Sequence, residues 1–536
     1  MKWIAPPGKD AGTQTLEQRL WAAADQLRAN SGLTSQQYSQ PVLGLIFLRF
    51  AEARFLARRK TLEAQGKGTR RGSRIDDPAA YHTEGVLYLP PEARFERLLA
   101  LPERSQVGKA VNEAMKAIEK ENPELKDVLP KTYELFGSVL LKDLLKKVSE
   151  IPADLDYDAF GRIYEYFLAE FARTEGHRGG EFYTPSSIVR LLVEILEPFH
   201  GRILDPACGS GGMFVQSARF VAAHRKNPAT ELSIHGQEKV AETIRLCRMN
   251  LAVHGLEGDI KQAISYYDDH HRSVERFDFA IANPPFNVNA VDKERLESEV
   301  GEGRRYPFGL PSSDNANYLW IQLFYSCLNS RGRAGFVMAN SASDARGSER
   351  DIRKRLIESR CVDAIVAVGP NMFYTVTLPV TLWFLDRGKT SAYRAEKVLF
   401  VDAREIYRQL DRAHRDWIPA QVSFIANVVR LYRGEEVDYT LGGDQAREKI
   451  VEVFGERPAY RDTAGICKSA CIAEIESQDW SLNPGRYVSV VSDDDLSEEN
   501  FKERLAGLAS ELAALNLQSE TLEQKITATL NGILEQ

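Results

Sequence analysis

A doubly wound, Rossmann-like α/β sheet, with an all-α domain before it and a coiled-coil-type helix after it, is the fold class these 536 residues predict. Three observations carry it. From about residue 200, short apolar runs (202–204, 232–236, 277–282, 334–339, 362–368 and 380–386) alternate with stretches of helical spacing. The run 277–282 stops at Pro284 and Pro285, which cannot donate to a ladder, so it reads as a buried strand ending in a rigid lip. Before residue 150 the apolar positions follow helical spacing instead. These readings divide the chain into residues 1–152, 153–488 and 489–536.

Within 1–152, Leu16, Leu20, Ala23, Ala24 and Leu27 recur at helical spacing, and 38–55 is a second, more apolar helix that needs a bundle around it. Further helices are expected at about 105–120 and 133–150. Arg58, Arg59 and Lys60 lead into a basic, Gly-rich loop over 66–74, read first as solvated and second as a contact for a DNA backbone.

Bulk properties exclude several classes. The longest apolar run near the start, 42–48, is far below the roughly 20 residues of a membrane span. Residues 1–7 hold no apolar core of a secretory signal, so a cytoplasmic protein is expected. None of the six cysteines forms a CxxC pair. Cys467 and Cys471 are spaced to share a helix face, but nothing nearby completes a metal set, and no metal centre is expected. The net charge of −7 matters more. A chain gripping duplex DNA unaided needs a basic excess, so DNA as substrate would require a local patch or a partner.

The chemistry-bearing residues fall in 153–488. A helix over 157–173 precedes Glu181, Phe182, Tyr183, Thr184, Pro185 and Ser186, where Thr184 or Ser186 would cap a helix with Pro185 in its first turn. Strand 202–204 then runs into Asp205, Cys208, Gly209, Ser210, Gly211 and Gly212. Glycines there permit a tight turn and close ligand approach, and the absence of Gly-Lys-Ser/Thr excludes a phosphate-binding P-loop. Asp205 at the strand tip suits an ammonium group, and Glu238, just past the next strand, suits ribose hydroxyls. A ligand with an amino acid at one end and a ribose at the other is S-adenosylmethionine. At the lip, Asn283 and the Pro284 carbonyl can accept from a planar NH2 group, and Phe286 can stack on the ring that carries it. The loop 287–313 is long and polar, of the kind that orders over a substrate. Residues 393–480 carry no clear pattern. From Phe501 to Ile533 the apolar residues follow a heptad seam, which calls for a helical partner.

Together these stretches, with Leu20 to Asp25, Val42 to Leu48, Ile118 to Pro123 and Gly180 to Pro185, make the chain similar over nearly its whole length to the modification subunits of type I restriction-modification systems, which are adenine-N6 DNA methyltransferases. The resemblance implies cofactor contacts from Glu181 to Ser186, Asp205, Gly209 to Gly212 and Glu238. It implies a catalytic set of Asn283, Pro284, Pro285 and Phe286 acting on an adenine flipped out of double-stranded DNA. Glu181 stands where glutamine is common in the family. No stretch reads as a target-recognition domain, so the resemblance also implies a separate specificity subunit, typically with two modification subunits to one, and a possible restriction subunit. Other readings stay open at this point: protein glutamine methylation, cytosine-N4 methylation, and a non-catalytic subunit of a defence complex.

Overall fold

The computed structural model describes residues 1–6, 16–66, 74–102, 104–152, 157–174, 184–312, 315–373, 378–411 and 414–488. The expectations for Glu181, Phe182 and Tyr183, for the basic residues 67–73 and for the C-terminal helix within 489–536 lie outside them.

The central sheet runs β12-β9-β7-β8-β6-β5-β2-β3-β4. Its strands are β2 (Gly201–Asp205), β3 (Leu232–Glu238), β4 (Gly258–Gln262), β5 (Phe277–Ala282), β6 (Leu328–Ala339), β7 (Val362–Val368), β8 (Val380–Asp386), β9 (Lys397–Asp402) and β12 (Cys467–Cys471). From β4 to β6 every pairing is parallel. β8 then inserts antiparallel between β6 and β7, and β12 closes the far edge antiparallel to β9. β2 lies between β3, its successor in sequence, and β5, so the order reverses there. Ligands bind at the carboxyl ends of strands at such a switch point.

Helices cover both faces. Ser186–Leu196, Gly212–Ala223 and Pro419–Arg433 build one core against the sheet, and Asn317–Ser326 and Ser348–Glu358 build the other. Every residue of β7 and β8 is therefore buried, which explains their nearly unbroken apolar runs. The polar exceptions are paired. Asp363 of β7 receives Arg394 Nε at 3.1 Å and Arg433 Nε at 2.9 Å.

A third core is helical, formed by residues from Leu20 to Phe171. The second helix runs Ser35–Gly66, longer than its apolar stretch suggests, with Pro41 near its start. Gly44 lets this helix approach Pro130 and Tyr133 so closely that a Cβ there would overlap both side chains. Helix Tyr157–Thr174 contributes Ile163, Phe167 and Phe171 to this core rather than to the sheet. Helix Ala241–Val253 serves two cores, with Ile244 and Leu251 on the sheet side and Met249 and Val253 on the helical side.

Two differences from the sequence reading have clear causes. Residues 1–152 are not wholly helical, because β1 (Trp3–Ala5) pairs in parallel with β10 (Ile406–Gln409), which in turn pairs with β11 (Arg415–Asp416). A three-residue strand has no periodicity of its own; its partner, some 400 residues away, creates it. Cys467 and Cys471 share a strand, β12, rather than a helix, with Cys467 buried and Cys471 exposed.

Candidate active site

β2, β3 and β5 end beside one another, and a cavity of about 310 Å³ opens at their carboxyl ends. Asp205 is the last residue of β2 and is buried, with its Oδ1 accepting from the Ala207 N–H at 2.9 Å. Burial pushes its carboxyl well above the usual range, against the pull of that N–H and with a further upward push from nearby Glu238. Lys239 also lines the cavity, but no cationic side chain among the described residues acts on Asp205 to offset that burial.

The turn after Asp205 is tied at several points. The Cys208 N–H donates to Gln237 O at 3.0 Å, the Gly211 N–H to Cys208 O at 2.8 Å, and Asn250 Nδ2 to Ser210 O at 2.9 Å. Gly211 has φ +81°, and a Cβ would stand 2.9 Å from Cys247 Sγ, so the turn requires glycine here. Helix Gly212–Ala223 follows directly. Glu238 ends β3. One of its oxygens accepts from the Gly209 N–H at 3.2 Å and the other from the Val240 N–H at 3.0 Å. Each carboxylate oxygen keeps a lone pair for a ligand hydroxyl.

Asn283 follows β5 on the same rim. Its Nδ2 donates to Thr184 Oγ1 at 3.1 Å, while its Oδ1 is buried and has no hydrogen-bond partner among the described residues. Thr184 is therefore not the helix cap. Pro185 takes the N-cap position of helix Ser186–Leu196, without a side-chain bond to the free N–H groups. The chain beyond Phe286 is clamped by three amides: the Asn287 N–H donates to Asn317 Oδ1 at 3.0 Å, and Asn287 Oδ1 accepts from Asn315 and Asn317.

Of the residues singled out from sequence, Thr184, Asp205, Gly209, Ser210, Gly212, Glu238, Asn283 and Pro285 line the cavity. Pro185, Ser186, Gly211, Pro284 and Phe286 do not. Pro284 is buried beneath the lip, and Phe286 is half-buried, packed against the core of one sheet face. The sequence reading missed Tyr266, Val288 and Trp320 in the wall. Trp320 is buried and its Nε1–H has no partner; its ring meets Tyr266 edge to face at 5.7 Å. Nor is 287–312 an open loop: Leu296, Arg305 and Tyr306 are buried, and the Tyr306 hydroxyl donates to Tyr266 O at 2.6 Å.

Comparison with known proteins adds the identity. The N-6 DNA Methylase family matches residues 155–495, and the HsdM N-terminal domain matches residues 16–150. The chain is 37% identical, over 97% of its length and 92% of the relative's, to the MjaIX type I restriction enzyme methylase subunit of Methanocaldococcus jannaschii. The chain belongs to the methylase subunits of type I restriction enzymes. This methylase subunit is also 34% identical to the HindI methylase subunit of Haemophilus influenzae, over 80% of this chain and 93% of that one. Its fold matches a type I methyltransferase subunit from Streptococcus thermophilus with a TM-score of 0.68 and 21% identity, covering 89% of this chain and 99% of that one. No helix among the described residues of the methylase subunit is long and apolar enough to cross a membrane.

Proposed function

We propose that this methylase subunit transfers a methyl group from S-adenosylmethionine to the N6 amine of an adenine flipped out of duplex DNA, as part of a complex with a DNA-specificity subunit. The observation that carries the reading is the unpartnered Asn283 Oδ1 on the rim of a cavity that also holds Asp205 and Glu238. A buried acceptor without a donor costs about 1–3 kcal/mol, so its retention points to a ligand donor. The donor set also fits the cofactor: a buried acid without a counter-cation for its ammonium, and the Glu238 lone pairs for its ribose. When bound, S-adenosylmethionine supplies an electrophilic methyl on a positively charged sulfur.

The chain's own residues then hold the amine. Asn283 Oδ1 and the Pro284 carbonyl oxygen accept the two N6 hydrogens, which draws the nitrogen lone pair out of conjugation with the purine ring and orients it. The half-exposed ring of Phe286 offers a stacking face for the base. As the N–C bond forms the S–C bond breaks to leave a neutral thioether, and the methylated, now cationic nitrogen sheds one N6 proton through its hydrogen-bond acceptors to water. Positioning and charge stabilisation therefore supply the rate without a strong base. Glu181, Phe182 and Tyr183 would complete the cofactor contacts. The experiment is transfer of labelled methyl to mixed genomic DNA by this chain alone and with its specificity subunit. Label in N6-methyladenine only with the partner supports the reading, and no label in either case overturns it.

Asp205 predicts a pH dependence. Its free-state pKa is raised, and a bound ammonium favours the ionised form, so cofactor binding releases a proton. Affinity is expected to climb with pH, at most about tenfold per pH unit, until the raised pKa is passed. Calorimetric Kd values across pH check this, and Asp205→Asn should flatten the profile.

The subunit contact is assigned to 489–536. Deleting these residues is expected to leave cofactor binding intact and abolish co-elution with the specificity subunit in size-exclusion chromatography. A complex that survives the deletion would place the contact elsewhere.

A further inference from the structure

A second group of ligand-type side chains gathers where β3, β4 and the chain after Asp269 meet. His235 of β3 and Asp259 of β4 are register partners on adjacent parallel strands, so their side chains share one face. His271 joins them, and one ligand-capable atom from each of the three lies within 4.8 Å of the other two.

The hydrogen bonds leave the same ring nitrogen over in both histidines. His271 Nε2 lies 3.0 Å from Gly236 O, an acceptor only, so Nε2 must carry a proton. In the neutral ring Nδ1 is then a bare lone pair, 3.6 Å from Asp259 Oδ2, which is also an acceptor. Two acceptors facing each other need either a second proton on His271 or a metal ion between them. His235 Nε2 is 3.0 Å from Ser233 Oγ, whereas its Nδ1 is buried without a partner. The rings stand 5.2 Å apart at 81°. Lys261 Nζ occupies Asp259 Oδ1 at 2.7 Å and leaves Oδ2 facing His271.

We propose that His235, Asp259 and His271 form a divalent transition-metal site, with Zn²⁺ the ion best matched to two imidazoles and one carboxylate. A metal-ligating histidine characteristically donates its other N–H to a backbone carbonyl, as His271 does to Gly236. Three protein ligands leave the fourth tetrahedral position to water. The site ties β3 and β4 to the segment that walls the cavity, a segment already held by Gln237, whose Nε2 donates to Ser265 Oγ and Asp268 O and whose Oε1 accepts from the His270 N–H. The sequence offered no metal-ligand spacing here, because strand register, not chain proximity, assembles the trio.

The test uses the full chain, stripped with chelator and titrated with Zn²⁺ by calorimetry and with Co²⁺ by absorption. One equivalent of Zn²⁺ and a Co²⁺ d–d spectrum are expected, with Asp259→Asn and His271→Gln each weakening Zn²⁺ binding about tenfold or more and abolishing the spectrum. Asp259 is half-exposed, so Asp259→Asn tests the site without disturbing a core. Zn²⁺ binding that is absent in the wild type, or equal in wild type and Asp259→Asn, overturns the proposal; the second result would mean adventitious binding to surface histidines only.

Discussion

Asn283→Ala is expected to lower methyl transfer to DNA by about 10³-fold, at the upper end of what removing one polarising group from a reacting centre costs. S-adenosylmethionine binding should be largely unchanged, because the acids assigned to the cofactor, Asp205 and Glu238, belong to other strands. Folding should also survive. The side chain makes one hydrogen bond, to Thr184 Oγ1, and its Oδ1 is unpartnered, so truncation removes an unsatisfied group from a site where it contributes little to stability. Single-turnover kinetics beside calorimetric cofactor binding separate the two effects. Parallel loss of binding and transfer would make Asn283 a cofactor residue and overturn its role at the amine.

Asp363→Ala is expected to destabilise the sheet by about 3–5 kcal/mol, the cost of removing one partner from a buried ionic network. Asp363 lies near the start of β7, an interior strand, with no exposed surface, and Arg394, Arg433 and Lys389 converge on it. Burial alone would raise its pKa, but Arg433, Lys389 and Arg394 together hold it well below the usual carboxylate range. The same burial depresses Lys389 to about 8, despite the attraction of Asp363. The pH signature follows. With a depressed folded pKa, the contribution of Asp363 is fully present above its unfolded value of about 4 and fades as pH falls below it. Urea unfolding at neutral pH should show the full gap between wild type and variant, and the gap should narrow in acid. Equal midpoints at neutral pH would mean the arginines find other partners.

How much of the site was legible depended on where each residue sits. Asp205, Glu238 and Asn283 announce themselves because each is a polar residue at or just past the end of an apolar strand, and the end of a strand is readable from the run itself. Trp320 gives no such signal. Its helix, Asn317–Ser326, is buried on nearly every side, so no polar face marks which residue turns to the cavity. Phe286 was legible as an aromatic next to the lip, but not as a ring packed against the core, since that depends on how Asn315 and Asn317 clamp the chain after it. The loop 287–312 misled for a related reason. Its composition is polar, and the buried Leu296, Arg305 and Tyr306 stand among charged neighbours with no periodicity to mark them. Residues 393–480 were hard to place because the partners of their short strands, β7 for β9 and β1 for β10, lie outside the segment and leave no local spacing to announce the pairing.

The pairing of β1 with β10 has a consequence in time. On a ribosome adding about 5–20 residues per second, residues 3–5 emerge roughly 20–80 s before residues 406–408. Until then the edge of β1 has no strand to lie beside, and afterwards its docking closes a loop of some 400 residues. Strand β1 is therefore among the last pieces to reach its native place, and a probe attached near Trp3 would report the late docking of β10 rather than the early steps of folding.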